Sequence, residues 1–191
     1  SLGGSKRGGT TPLSRYSLFL PYLHKIKDYI IHYTLFMKSV KHEIKNLKKT
    51  AQRILRAVKN KERIILYGDA DLDGISSVIV LKEAIKNLGG KVETVYFPDR
   101  ETEGYGLNED ALSHLKEQAP ALLIVLDCSI GNFAEVKLAK KMGFEVIIID
   151  HHQPLKKLPQ ASILINPKQR GDRYPFKEFA NAGLVFKLAE V

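Results

Sequence analysis

The chain has 191 residues, 44% of them hydrophobic, enough to bury one core as a folded, soluble domain with an appendage. Lys and Arg outnumber Asp and Glu by 30 to 21, a formal net charge of +9 that favours a polyanionic partner without naming one. A single cysteine, Cys128, excludes an internal disulfide framework and a thiolate zinc site, and no apolar run reaches the length of a membrane span, so the expected setting is the cytoplasm.

Residues 1–17 read as a flexible tail, since SLGGSKRGGTTPLS carries no apolar stretch of the signal-peptide kind. Pro21 stands where a helix can begin, and from there to about Asn60 there is no further Pro and no Gly. Leu23, Ile26, Ile30, Val40, Ile44, Leu47, Ala51, Ile54, Leu55 and Val58 recur at helical spacing. One long helix or two shorter ones are expected over 18–60, either docked on a partner, a second copy or a missing domain, or laid across the sheet.

Beyond residue 60 short apolar runs alternate with helical stretches, the pattern of an α/β fold. Strands are expected at 63–68, 92–97, 121–127, 144–150 and 162–166. Helices are expected at 76–88, closed by Gly89 and Gly90, at 107–118, at 133–142, stopped by Gly143, and from about Ala182. Right-handed crossovers place such strands in one mostly parallel sheet flanked by helices.

Ligands of such a sheet gather at the carboxyl ends of its strands. After the first expected strand comes Gly68-Asp69-Ala70-Asp71-Leu72-Asp73-Gly74, after the third Asp127, and after the fourth Asp150-His151-His152. Asp69 and Asp71 are two apart, so an extended segment turns both carboxylates to one side, as oxygen ligands of a hard cation require. Asp73 either continues that face or caps the helix that follows. Each piece alone has an ordinary role as a turn, a cap or a surface histidine; their conjunction at successive strand ends is what points to a metal. Oxygens with one or two imidazoles and no thiolate suit Mn²⁺ or Mg²⁺ better than structural zinc, and a site of that kind suits hydrolysis of a phosphate ester.

Five blocks in order resemble the DHH phosphoesterases, and within them the RecJ-like single-strand-specific exonucleases: GDADLDGISS at 68–77, FPDRETEGYGLN at 97–108, LDCSIGN at 126–132, IIIDHHQP at 147–154, and INPKQRGDRYPFKEFANAGLVFKLA at 165–189. The resemblance implies a DHH catalytic domain over 61–191 with two divalent ions: Asp69 and Asp71 as metal ligands, Asp127 bridging, and His151 on the second metal. It also implies that His152 faces the phosphate, that Asp150 orients the imidazole pair from behind with Asp73 in a similar supporting place, that Arg100 steadies substrate phosphate, and that Gly104, Tyr105 and Gly106 form a loop against the substrate. The implied activity is exonucleolytic hydrolysis of single-stranded DNA, 5′ to 3′, in repair and recombination.

Three departures from that pattern bear on it. Tyr67 stands where the family usually has a histidine, and Ser129 where it often has glycine. The family's last metal-binding Asp and its cleft-closing second domain lie beyond the final helix, so the domain is expected to be incomplete at its C-terminal end and weakly active or inactive alone. Two alternatives stay open: a DHH phosphodiesterase for oligoribonucleotides, cyclic dinucleotides or pyrophosphate, against which the EGYGLN and NPKQRGDRYPFK blocks speak, and a degenerate non-catalytic DHH module that docks through its N-terminal helix.

Overall fold

Runs of consecutive branched apolar residues fit strands covered on both faces; four such runs and a half-buried edge strand, Thr94–Tyr96, form one parallel sheet. In the computed structural model, which describes residues 43–191, these are β1 (Ile64–Gly68), β2 (Thr94–Tyr96), β3 (Ala121–Leu126), β4 (Phe144–Ile149) and β5 (Ile163–Ile165). Every residue of β1, β3 and β5 is buried. The order is β2-β1-β3-β4-β5, with every pairing parallel. All five expected strands are present, four of them trimmed by one or two residues and β2 by three. The expected tail over 1–17 and the part of the helical extension before residue 43 lie outside the described residues.

The helices are α1 (Leu47–Lys59), α2 (Leu72–Asn87), α3 (Glu109–Leu115), prolonged by a 3₁₀ turn at Lys116–Gln118, α4 (Phe133–Lys141) and α5 (Asn181–Ala189). α2 begins four residues ahead of the expected 76 because Asp71, in extended conformation, caps it: its Oδ1 accepts from the Gly74 N–H at 2.9 Å. α3 begins at Glu109 rather than 107 for the same reason, since Asn108 Oδ1 accepts from the Ala111 N–H at 2.7 Å. One core layer packs Ile65, Tyr67, Leu123, Val125, Val146 and Ile148 of the sheet against residues of α3 and α4. Burying each aliphatic side chain of that size contributes about 1.5–3 kcal/mol. α1 is fastened to β4 by Arg53, whose guanidinium meets Glu145 at 2.7 Å and Glu62 at 2.6 Å. Among the described residues no helix is long and apolar enough to cross a membrane.

The chain runs from β1 to β2 on one side and then crosses back to β3 on the other, so the winding reverses between β1 and β3. Outside the carboxyl ends of such strands the departing loops separate and leave a crevice. α2 leaves β1 through a joint with no spare room. A Cβ on Gly74 would collide with the Asp69 carbonyl oxygen and come within 2.8 Å of the Asp69 nitrogen and carbonyl carbon. Gly74→Ala is therefore expected to lower stability in a urea titration by about 1–3 kcal/mol, the usual range for overpacking; an unchanged midpoint would show the joint to be slack.

Candidate metal centre

Three acids stand one residue past the ladder, on three adjacent strands. Gly68 is in register with Leu126 and Leu126 with Ile149, and the hydrogen bonding runs on for one more step. Asp69 N–H donates to Leu126 O at 3.2 Å, Asp127 N–H to Ile149 O at 3.0 Å, and Asp150 N–H to Ile165 O at 3.0 Å. Asp69, Asp127 and Asp150 are all buried. Such a row is unfavourable without countercharges, because burial and mutual repulsion both oppose ionisation.

Asp69 and Asp71 share one cation, Arg100. Its Nη2 lies 2.6 Å from Asp69 Oδ2 and 3.0 Å from Asp71 Oδ2, and its Nε donates to Asp69 Oδ1 at 3.1 Å. The residue expected to steady substrate phosphate thus lies on the expected metal-binding carboxylates. Hydrogen bonding from Gly74 and then the Arg100 guanidinium hold the Asp71 carboxyl below its usual range. One oxygen from each of Asp69, Asp71 and Asp127 falls within 4.8 Å of the others.

A second group of three also includes Asp127. His151 Nε2 is 3.2 Å and His152 Nδ1 is 3.9 Å from Asp127 Oδ1, and one donor atom from each of the three residues lies within 4.8 Å of the others. Asp127 Oδ1 is buried and makes no hydrogen bond. A buried carboxylate oxygen with no hydrogen bond, on the residue that two groups of oxygen and imidazole donors share, is what a bound divalent cation would satisfy. Asp150 supports His152: Oδ1 accepts from the His152 N–H at 3.0 Å and meets His152 Nδ1 at 2.8 Å, while Oδ2 accepts from the Ile130 N–H at 3.0 Å. Its hydrogen bonds therefore go to one imidazole of the expected pair. Asp73 caps a helix, but not the one that follows it. Its carboxylate accepts from the Asn181 N–H at 2.7 Å and the Ala182 N–H at 2.8 Å, the start of α5, and lies 3.5 Å from His151 Nε2.

Residues 63–191 match the family described as DHH family, N-terminal domain. This chain belongs to the DHH family. Similar proteins include the single-stranded-DNA-specific exonuclease RecJ of Bacillus subtilis, 44% identical over 147 residues, which are 77% of this chain and 19% of that protein. RecJ of Escherichia coli is 32% identical over 146 residues, 76% of this chain and 25% of that one. Among solved structures, exonuclease RecJ bound to manganese superposes with a TM-score of 0.69 at 31% identity, covering 77% of this chain and 37% of the other. RecJ from Thermus thermophilus in complex with Mn²⁺ gives 0.61 at 27% identity, covering 76% and 20%. The chain thus spans about a fifth to a quarter of the curated relatives' length.

Within this DHH domain the two sequence departures have structural roles. Tyr67 is fully buried, stacks on Tyr96 with ring centroids 5.5 Å apart, and donates its hydroxyl to Gly106 O at 2.8 Å. Position 67 therefore serves the loop after β2 rather than the acids. Ser129 sits at φ +78°, a conformation glycine reaches more easily, and its Oγ accepts from the Leu107 N–H at 3.0 Å, so the serine anchors the same loop. Gly104 and Gly106 also have positive φ, and a Cβ on Gly106 would collide with Asn132 Oδ1. These ties place Tyr105 beside the cluster, its hydroxyl 3.3 Å from Asp127 O and its ring 6.2 Å from that of His152. Tyr105, Ser129, Ile130, Gly131, Asn132 and His152 line an open cleft of about 300 Å³. A larger apolar groove of about 610 Å³ between α1, α2 and α5 contains none of the cluster residues.

The electrostatics of the metal-free DHH domain follow from this crowding. Burial first, then Asp73 and Asp71, pushes the Asp127 carboxyl up to about 8. The hydrogen bond to Asp150 raises His152 above the usual imidazole range. Both groups bind protons more tightly in the folded than in the unfolded chain, so the stability they contribute is present at low pH and lost as pH rises through the folded values. The window opens near an ordinary carboxylate pKa of about 4 and closes near 8 for Asp127. Thermal melts of the metal-free protein between pH 5 and 8.5 are expected to shift downward with rising pH; a Tm that climbs across this range would contradict the geometry.

Proposed function

We propose that this DHH domain is the metal-binding part of a phosphodiesterase that hydrolyses single-stranded DNA with two divalent ions, Mn²⁺ or Mg²⁺. The observation that carries the reading is Asp127, which belongs to both three-residue groups and has a buried Oδ1 that makes no hydrogen bond. Asp69 and Asp71 would hold one ion, His151 the other, and Asp127 would bridge them. Ions so held would supply an acidified water as nucleophile at neutral pH and a positive charge for the phosphate.

The remaining roles fall to side chains around the carboxylates. His152 has Nδ1 against Asp150, which leaves Nε2 to donate to a phosphate oxygen or protonate the leaving oxygen; its raised pKa keeps the proton available near neutrality. Asp150 fixes the tautomer and orientation of that ring. Arg100, more than a third exposed at the mouth of the site, supplies a guanidinium for a phosphate brought beside Asp69 and Asp71. Tyr105, 55% exposed and held by its hydroxyl, offers a face on which a base can stack. Support for DNA as substrate comes from the names of the RecJ relatives and from the net charge of +9, which suits a polyanion.

The test is incubation of the protein with Mn²⁺ and end-labelled single-stranded DNA, alongside Asp127→Ala. The unmodified chain, incomplete as its sequence reads, is expected to shorten the strand slowly, and the variant to fall to background. Equal cleavage by both removes Asp127 from the mechanism. Parallel arms with pyrophosphate, a cyclic dinucleotide and a short oligoribonucleotide read the substrate class, and turnover of one of these with DNA untouched overturns the DNA assignment.

A further inference from the structure

Asn181, the first residue of α5, is fully buried. An amide is seldom placed there unless its donors and acceptor are used. Oriented so that oxygen meets donors and nitrogen meets an acceptor, its Oδ1 accepts from the Asp127 N–H at 3.0 Å and the Ser77 hydroxyl at 3.1 Å, and its Nδ2 donates to Ile149 O at 3.0 Å. Those partners belong to the end of β3, to α2 and to the end of β4. Asp127 N–H and Ile149 O are also bonded to each other, so the Asn181 amide closes a ring over the last step of the β3–β4 ladder.

The Asp127 backbone needs such a clamp. Its φ of +64° lies in the left-handed region, which a residue with a Cβ occupies only where its surroundings over-determine it. α5 is delivered to this point by Asp73, whose carboxylate takes the N–H groups of Asn181 and Ala182.

We infer that Asn181 is the positioning residue of the metal centre: its amide locks the backbone of Asp127 against β4 and thereby fixes the carboxylate where the two donor groups meet. The inference rests on the metal-centre reading above. The Asp73 contacts are to the α5 backbone and survive replacement of the Asn181 side chain, so α5 stays docked in a variant while the clamp on Asp127 is lost. Ser77 provides the control, because its hydroxyl bonds the Asn181 amide and not the Asp127 N–H that the amide engages.

Calorimetric titration with Mn²⁺, together with thermal melts, of the unmodified chain, Asn181→Ala and Ser77→Ala tests this. Both variants are expected to melt at lower temperature, and Asn181→Ala alone to bind Mn²⁺ about tenfold more weakly or worse, the usual effect of removing a partner behind a metal ligand. If Asn181→Ala does not melt cooperatively, Asn181→Ser carries the same comparison. Unchanged affinity in a folded Asn181 variant, or an equal loss in Ser77→Ala, overturns the inference while leaving the metal centre standing. Absence of Mn²⁺ binding by the unmodified chain overturns both.

Discussion

Parallel strands pair in a fixed register, and here that register decides the chemistry: Gly68 opposite Leu126 and Leu126 opposite Ile149 bring Asp69, Asp127 and Asp150 to one level. A slip of a single residue would turn every side chain of a strand to the other face and move its acid by about 3.3 Å along the strand. The slip is prevented by burial. β1 and β3 are inaccessible along their whole length, so any shift would disturb an entire packed layer. Sequence sets the apolar runs, the runs set the register, and the register sets the acid row.

The cost of that row is electrostatic, and the surrounding elements limit it in different ways. Arg100 pairs with both Asp69 and Asp71, offsetting one of their two charges. Backbone N–H groups at Ile130 and His152 engage Asp150, and those at Asn181 and Ala182 engage Asp73. Of the acids in this cluster, Asp127 is the one with a buried oxygen that makes no hydrogen bond, and it is the carboxyl whose pKa rises to about 8. A cation bound there would supply the positive charge that the surrounding side chains give to the other acids of the cluster.

Much of this was legible in the sequence, because strand order and strand-end chemistry are local signals. The apolar runs marked all five strands, and the acids and histidines that follow them are the residues the fold brings together. Two classes of feature were not legible. Helix starts moved where a side chain two or three residues upstream captured an N–H, as Asp71 and Asn108 do; the sequence shows the capping residue but not which of several acids takes the role. Long-range contacts were also invisible. Nothing near Asp73 in the chain says that it caps a helix more than a hundred residues later, nor does anything near Asn181 say that its amide reaches two strand ends. Tyr67 and Ser129 read as departures from a motif, and their service to the loop carrying Tyr105 emerges only once β1, β3 and that loop are packed together.

The central claim is that Asp127 stands between two cation sites. Crystals grown with Mn²⁺ and measured at a wavelength where manganese scatters anomalously test it most directly. The account predicts two anomalous peaks flanking the Asp127 carboxylate, one beside Asp69 and Asp71 and one beside His151. Peaks remote from Asp127, or none at saturating Mn²⁺ in well-ordered crystals, would contradict it.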